Sequence, residues 1–223
     1  MNNKISVLYF VDCLEHGGIQ SLLLEIVKHL HNNLDISFLV FESDKKEVLE
    51  DVMASYGCTI YKIPSLVKHP LKCFRACDKI FKNHHFDILH CHSSSKSAIP
   101  LKAAKKNNVK VRIEHVHSDR FQTNNFIKTL FGKMLINPTC KYANYYMACS
   151  NSASKWMFKN KYTKTNKPII IKNAIEIDRF AYNTTNRNAI RKQYGIDKNE
   201  FVVGHIGRFI EVKNHYFLLN VFK

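Results

Sequence analysis

No run of apolar residues approaches the ~18 needed to cross a bilayer, so no transmembrane helix is expected. The sequence has no Cys-x-x-Cys pair, and its seven cysteines are an odd number. That argues against a disulfide framework and against a zinc ribbon. No G-x-G-x-x-G is present, which leaves a dinucleotide site without its fingerprint. Carboxylates are scarce: 18 Asp plus Glu stand against 34 Lys plus Arg, a net charge of +16. Such an excess attracts polyanions, whether nucleic acid, acidic lipid headgroups or phosphorylated small molecules, without choosing among them.

The chain is 223 residues long and 45% hydrophobic, enough for a core and too apolar for disorder. Residues 4–11 could pass for a short signal sequence. The flank lacks a basic cluster, however, and Asp12 and Glu15 stand where a small-residue cleavage site would be. This stretch reads as a first strand, and the protein as cytoplasmic.

Strand-like and helix-like runs alternate from there. The pattern predicts strands at residues 4–11, 36–41, 59–63, 87–92, 109–116, 145–149 and 169–172. It predicts helices at residues 17–32, 45–56, 71–83, 97–107 and 126–141, and one capped by Ser150 running to about Lys159. A βαβα rhythm implies an α/β fold, a Rossmann-like parallel sheet with helices on both faces. Ligands then bind beyond the carboxyl ends of the strands. After Phe180 the texture changes. Residues 181–199 read as a polar linker and a short helix that Gly195 stops. A fresh strand at residues 201–206 and a helix from about Lys213 restart the rhythm as the beginning of a second, incomplete Rossmann-like domain.

Three groups of residues carry candidate chemistry. Gly17 and Gly18 lie between the first strand and first helix, where they let a ligand approach the backbone and the helix N-terminus. His90 and His92 close one strand, and His115 and His117 the next, so four imidazoles should line one rim. Imidazole shuttles protons near neutral pH and hydrogen-bonds sugar hydroxyls. The two His-x-His pairs could hold a metal with Cys91, but strand alternation puts Cys91 on the opposite face, so no metal site is expected. Arg208 follows a strand and Lys213 opens a helix, a pair of cations suited to a diphosphate.

The ordered set resembles glycosyltransferase family four, the retaining enzymes of GT-B fold that build capsular and exopolysaccharides. It comprises the Gly17-Gly18 loop, the histidine ending the fifth strand, Ala148-Cys149-Ser150, the segment from Lys172 to Phe180, and Gly207-Arg208-Phe209 before Lys213-Asn214-His215. The resemblance covers essentially the whole chain. It implies an acceptor-side domain over residues 1–180, a linker over 181–199 and the first strand and helix of a donor-binding domain over 200–223. It also implies that Gly17, Gly18, Arg208 and Lys213 contact the donor's phosphates, and that His117 is the catalytic histidine near the transferred sugar. His115, His92 and Asn173 would face acceptor or sugar. No metal and no cofactor are implied, because the basic pair serves the leaving group, and no Asp-x-Asp is found. The partners implied are a nucleotide-sugar donor and a lipid-linked saccharide acceptor, with the basic charge drawing the protein to the inner face of an anionic membrane.

The family's Glu-x7-Glu belongs further into the second domain than this chain reaches. Glu42 and Glu50 share that spacing, but follow the second strand and read as coincidence on a solvated helix face. Three competing readings remain: a natural short chain without transferase activity, a sugar-nucleotide epimerase of the same fold, and a basic nucleic-acid-binding protein. Against the last, the lysines are spread through helices and loops and form no single stripe with interleaved aromatics.

Overall fold

Strand and helix alternate along the computed structural model, which describes residues 4–121, 123, 125–158, 166–207 and 209–222. The chain divides into two compact units, residues 1–175 and 176–223.

In the first unit the order is β1 (Ile5–Phe10), α1 (Gly18–Leu30), β2 (Leu34–Phe41), α2 (Glu50–Ser55), β3 (Thr59–Ile63) and α3 (Pro70–Asn83). There follow β4 (Ile88–Cys91), a 3₁₀ turn (Ser94–Ser97), α4 (Ala98–Lys106), β5 (Val111–Val116) and α5 (Phe126–Tyr142). The unit closes with β6 (Tyr145–Ala148), α6 (Asn151–Met157) and β7 (Ile169–Ile170). All strand pairs are parallel, in the order β3-β2-β1-β4-β5-β6-β7. Strand order reverses between β1 and β4, the point at which open parallel sheets open a crevice for ligands.

The sheet is covered on both faces. Leu8, Phe10, Leu89, Cys91 and Val116 pack under α3–α6, while Val7, Tyr9, Val11 and Phe38 pack with Leu23 and Val27 of α1 and Met53 of α2. Each such side chain, fully buried, contributes about 1.5–3 kcal/mol. Cys91 and His92 thus take opposite faces, as alternation requires. Ser150 caps α6 as expected, its hydroxyl accepting from the Ala153 amide at 3.2 Å. That helix ends at Met157, and Lys159 falls outside the described residues.

Expectations about residues 42–56 need correction. The helix expected at residues 45–56 starts only at Glu50. The reason is a carboxylate network: Glu47 accepts from the Leu14 amide at 2.5 Å, and Glu50 accepts from the Glu47 amide at 3.0 Å and from Lys62 at 2.8 Å. Residues 45–49 are thereby held as a turn against the β1–α1 loop. Glu50 is buried and paired, and Glu42 stands outside the helix, so the two share no solvated helix face.

In the second unit, considered by itself, a 3₁₀ turn (Ile177–Phe180) precedes α7 (Thr184–Gln193). Gly195 stops that helix at φ +64°, a left-handed conformation that costs glycine little. Arg191 donates to the Glu200 carbonyl at 2.7 Å and to that of Asp197, tying the following turn to the helix. The strand expected at residues 201–206 does not form. A strand needs a neighbour for its hydrogen bonds, and no described segment of this unit pairs with it. The helix expected from Lys213 begins at His215 as α8 (His215–Val221), capped by Asn214 after a 3₁₀ turn (Glu211–Lys213).

Candidate active site

β4 and β5 lie side by side in parallel register, with His90 opposite Ile113 and Cys91 opposite Glu114. Residues two apart on a strand share a face. His90 and His92 therefore stand beside His115 and His117 at the carboxyl ends of the two strands. Ring centroids are 4.3 Å apart for His90–His92, 5.2 Å for His92–His115 and 4.2 Å for His115–His117. Tyr9 of β1 closes the row, 5.4 Å from His90 and 5.8 Å from His92.

His92 Nδ1 and His117 Nε2 share a 2.8 Å hydrogen bond, in which one ring donates and the other accepts. Five more ring nitrogens, His90 Nε2, His92 Nε2, both of His115 and His117 Nδ1, are buried without a well-aligned hydrogen bond. Leaving buried polar atoms unpaired costs free energy, and native proteins rarely do so without a functional reason. Burial first, and neighbouring imidazoles second, hold the rings neutral: His90 and His115 are pushed down to about 3, and His92 falls well below the usual histidine range. His117 is lowered to about 4 by burial, partly offset by the approach of the Asn173 side chain. The site is a buried cluster of neutral imidazoles with unsatisfied lone pairs and N–H groups. His90, His92 and His115 bring ligand atoms within 4.8 Å of one another, so a metal ion could reach all three.

The β1–α1 loop lies on the same carboxyl edge. Gly17 is extended, with φ −173°, and precedes α1, whose first turn has no acidic residue to neutralise its amides. Space is open beside Gly18, where a Cβ would meet no neighbouring group within 4 Å, whereas the Gln20 side chain folds back over Gly17 and donates to the Cys13 carbonyl at 2.9 Å. Lys96, from the turn after β4, pairs with Asp12 at the end of β1 and braces the two loops.

The structure therefore brings His92, His115, His117 and Asn173 together, with His90 behind them and Gly17-Gly18 on the same edge of the sheet. Of the expected cationic pair, Lys213 belongs to the second unit and Arg208 lies outside the described residues. Two cavities of about 230 Å³ each occur at the opposite, amino edge of the strands, one lined by Phe81, His84 and Asn108, the other by Lys4, His31 and Tyr56. That edge is not where parallel sheets place their chemistry.

Sequence reasoning passed over Glu114. It is completely buried on the sheet face opposite the histidines, and burial pushes its carboxyl well above the ordinary range. The Ser97 hydroxyl and the Ser94 amide approach and favour the charged form, without well-aligned hydrogen bonds to either oxygen. Its signal in the sequence is a carboxylate inside β5, between Ile113 and His115 and followed by Val116. Because the folded state holds this proton more tightly than the unfolded chain, Glu114 contributes stability that is complete below about pH 4.3 and is lost as pH rises toward its folded value. Glu114→Gln should therefore be near neutral at pH 4 and stabilising at pH 8, by about 1.4 kcal/mol for each pH unit of raised pKa. Urea unfolding at the two pH values reads this directly. Equal stability of the two proteins at pH 8 would show an ionised, well-solvated carboxylate.

A parallel sheet of this order, with its polar cluster beyond β4 and β5, is the N-terminal Rossmann-like domain of a GT-B fold. The Glycosyltransferase Family 4 model matches residues 16–179, and the chain belongs to that family. It is 25% identical over 221 residues to CapH of Staphylococcus aureus, a capsular polysaccharide biosynthesis glycosyltransferase, covering 97% of this chain and 57% of that one. It is 26% identical over 203 residues to the UDP-Gal:alpha-D-GlcNAc-diphosphoundecaprenol alpha-1,3-galactosyltransferase of Escherichia coli, covering 89% of this chain and 52% of that one. Among solved structures it shares its fold with HepE of Anabaena, crystallised with UDP and glucose. The TM-score is 0.73 at 16% identity, over 98% of this chain and 57% of that one. The chain thus spans a little over half the length of the relatives it matches.

Proposed function

We propose that the protein of which this chain forms the acceptor side transfers a sugar from a nucleotide-sugar donor to a growing, lipid-linked polysaccharide. The observation that carries the reading is the neutral four-histidine cluster, with buried unpaired nitrogens, at the carboxyl ends of β4 and β5 in a family 4 sheet.

In this reading His117 is catalytic, at the front of the cluster, with His92 holding its ring and Asn173 beside it. His115 and His92 present nitrogens to sugar hydroxyls. Gly17 and Gly18 let the donor diphosphate reach the N-terminus of α1, and Arg208 and Lys213 neutralise its charge. Residues 1–180 serve the acceptor and residues 200–223 begin the donor-binding part, joined by 181–199. A lipid-linked acceptor, as the name of the galactosyltransferase relative specifies for that enzyme, sets the reaction at a membrane surface. No described helix is long and apolar enough to cross a membrane. A basic protein working in the cytoplasm at the inner leaflet suits both facts.

The test uses a version carrying a complete donor-binding half. Incubated with a panel of nucleotide sugars and a polyprenyl-diphosphate-linked saccharide, it should extend the saccharide by one residue from one preferred donor. Epimerised nucleotide sugar with no extended saccharide would replace this reading with the epimerase one. Tight duplex DNA binding with a steep salt slope would favour the nucleic-acid reading instead.

A further inference from the structure

α5 carries apolar residues on two opposite faces, yet only one of them meets the protein. Gly132, Ile136, Thr139 and Cys140 point inward and are buried. On the opposite face Phe126 is 78% exposed, Ile127 76% and Met134 68%, with Leu130 and Phe131 also open to solvent. These five occupy positions i, i+1, i+4, i+5 and i+8, a continuous stripe along two turns of helix. Soluble surfaces rarely carry contiguous apolar patches of this kind unless something covers them.

From this face we infer that α5 is the element by which the protein docks on an anionic lipid surface. Lys128 and Lys133 are exposed and fall on either flank of the stripe by helical position, where their stems can lie along the apolar surface and their ammonium groups reach headgroups. The charge around the helix is of one sign. From Arg120 to Ile175 the sequence holds no Asp or Glu and nine lysines. The carboxylate just before, Asp119, is paired with Arg120 at 3.2 Å. An apolar stripe between cations, in a region without carboxylates, is complementary to an anionic bilayer interface. It is poorly complementary to a second copy of itself, since a two-fold dimer through this face would set lysine against lysine.

α5 also follows directly on the β5 end that bears His117, so docking by this helix sets the histidine cluster near the membrane plane, where a lipid-diphosphate acceptor would present its sugar. The purpose of the docking rests on the transferase reading; the docking itself does not.

The experiment uses the 223-residue chain and two kinds of vesicle, pure phosphatidylcholine and phosphatidylcholine with phosphatidylglycerol. The chain should co-sediment with the anionic vesicles and largely release as salt rises. Phe126→Ser/Ile127→Ser/Met134→Ser, all at exposed positions, should partition at least about tenfold more weakly. Lys128→Glu/Lys133→Glu should lose its preference for the anionic vesicles, and both variants should keep the wild-type circular dichroism. Wild-type failure to bind at low salt, or variants that bind as wild type does, would overturn the inference. A wild-type dimer in light scattering that the serine variant dissociates, without vesicle binding, would also overturn it and put a second copy on the face. Vesicle binding that depends on α5, together with no transfer by the complete enzyme, would leave the docking standing and remove the transferase reading.

Discussion

His117→Ala, in a version with a complete donor-binding half, should lower turnover by about 10²–10⁴, the usual loss when a positioned proton-transfer group is removed. The expectation follows from the arrangement of the four rings. His115 is buried, whereas His117 is partly open, so His117 meets an incoming ligand first. Its Nε2 is fixed at 2.8 Å from His92 Nδ1, and its Nδ1 makes no well-aligned hydrogen bond, with the Asn173 side chain approaching the ring. A ring held at one nitrogen and unsatisfied at the other is oriented for a substrate atom. Initial rates should fall with little change in unfolding midpoint. His92→Ala, which frees the His117 ring without removing it, should cost less in turnover. If His117→Ala keeps turnover within a few-fold of wild type with its fold intact, the catalytic role falls, and His115 becomes the residue to test.

Acid should unfold the first unit well above the pH at which carboxylates ordinarily fail. Each of the four histidines titrates near pH 6.5 when unfolded, while in the fold His90 and His115 are held down to about 3, His117 to about 4 and His92 lower still. Their folded values are depressed, so the stability they contribute is complete above about pH 6.5 and is lost as pH falls toward the folded values. In that window the unfolded chain binds protons that the native state refuses, and each group costs about 1.4 kcal/mol per pH unit. Glu114, with the opposite sign, offsets part of this. The net loss is several kcal/mol per pH unit, comparable to the ~5–15 kcal/mol stability of ordinary domains. Circular dichroism between pH 8 and 4 should show a steep cooperative transition centred near pH 5. His115→Asn, if it folds at pH 8, should shift the transition downward. A flat profile to pH 4 would mean that the rings are charged or solvated in the folded protein.

Much of the architecture was legible in the sequence because the signals involved are local. Period-two and period-3.6 apolar patterns act over a few residues, so the strands and helices of the first unit, the Ser150 cap and the Gly195 stop could be read from neighbours along the chain. Alternation likewise placed Cys91 away from the histidines, and the ordered motifs indicated the family that the match over residues 16–179 establishes. Tertiary structure decided what depends on groups far apart in sequence. The His92–His117 hydrogen bond spans 25 residues and exists only because β4 and β5 pair in one particular register. The late start of α2 was set by Leu14 and Lys62, neither of them in that segment, through hydrogen bonds no local pattern contains. Residues 201–206 carry a strand's composition but no strand, because a ladder requires a partner that propensity cannot supply. α5 makes the same point: its sequence shows an apolar helix, and only packing shows which apolar face is buried and which is left to the surroundings.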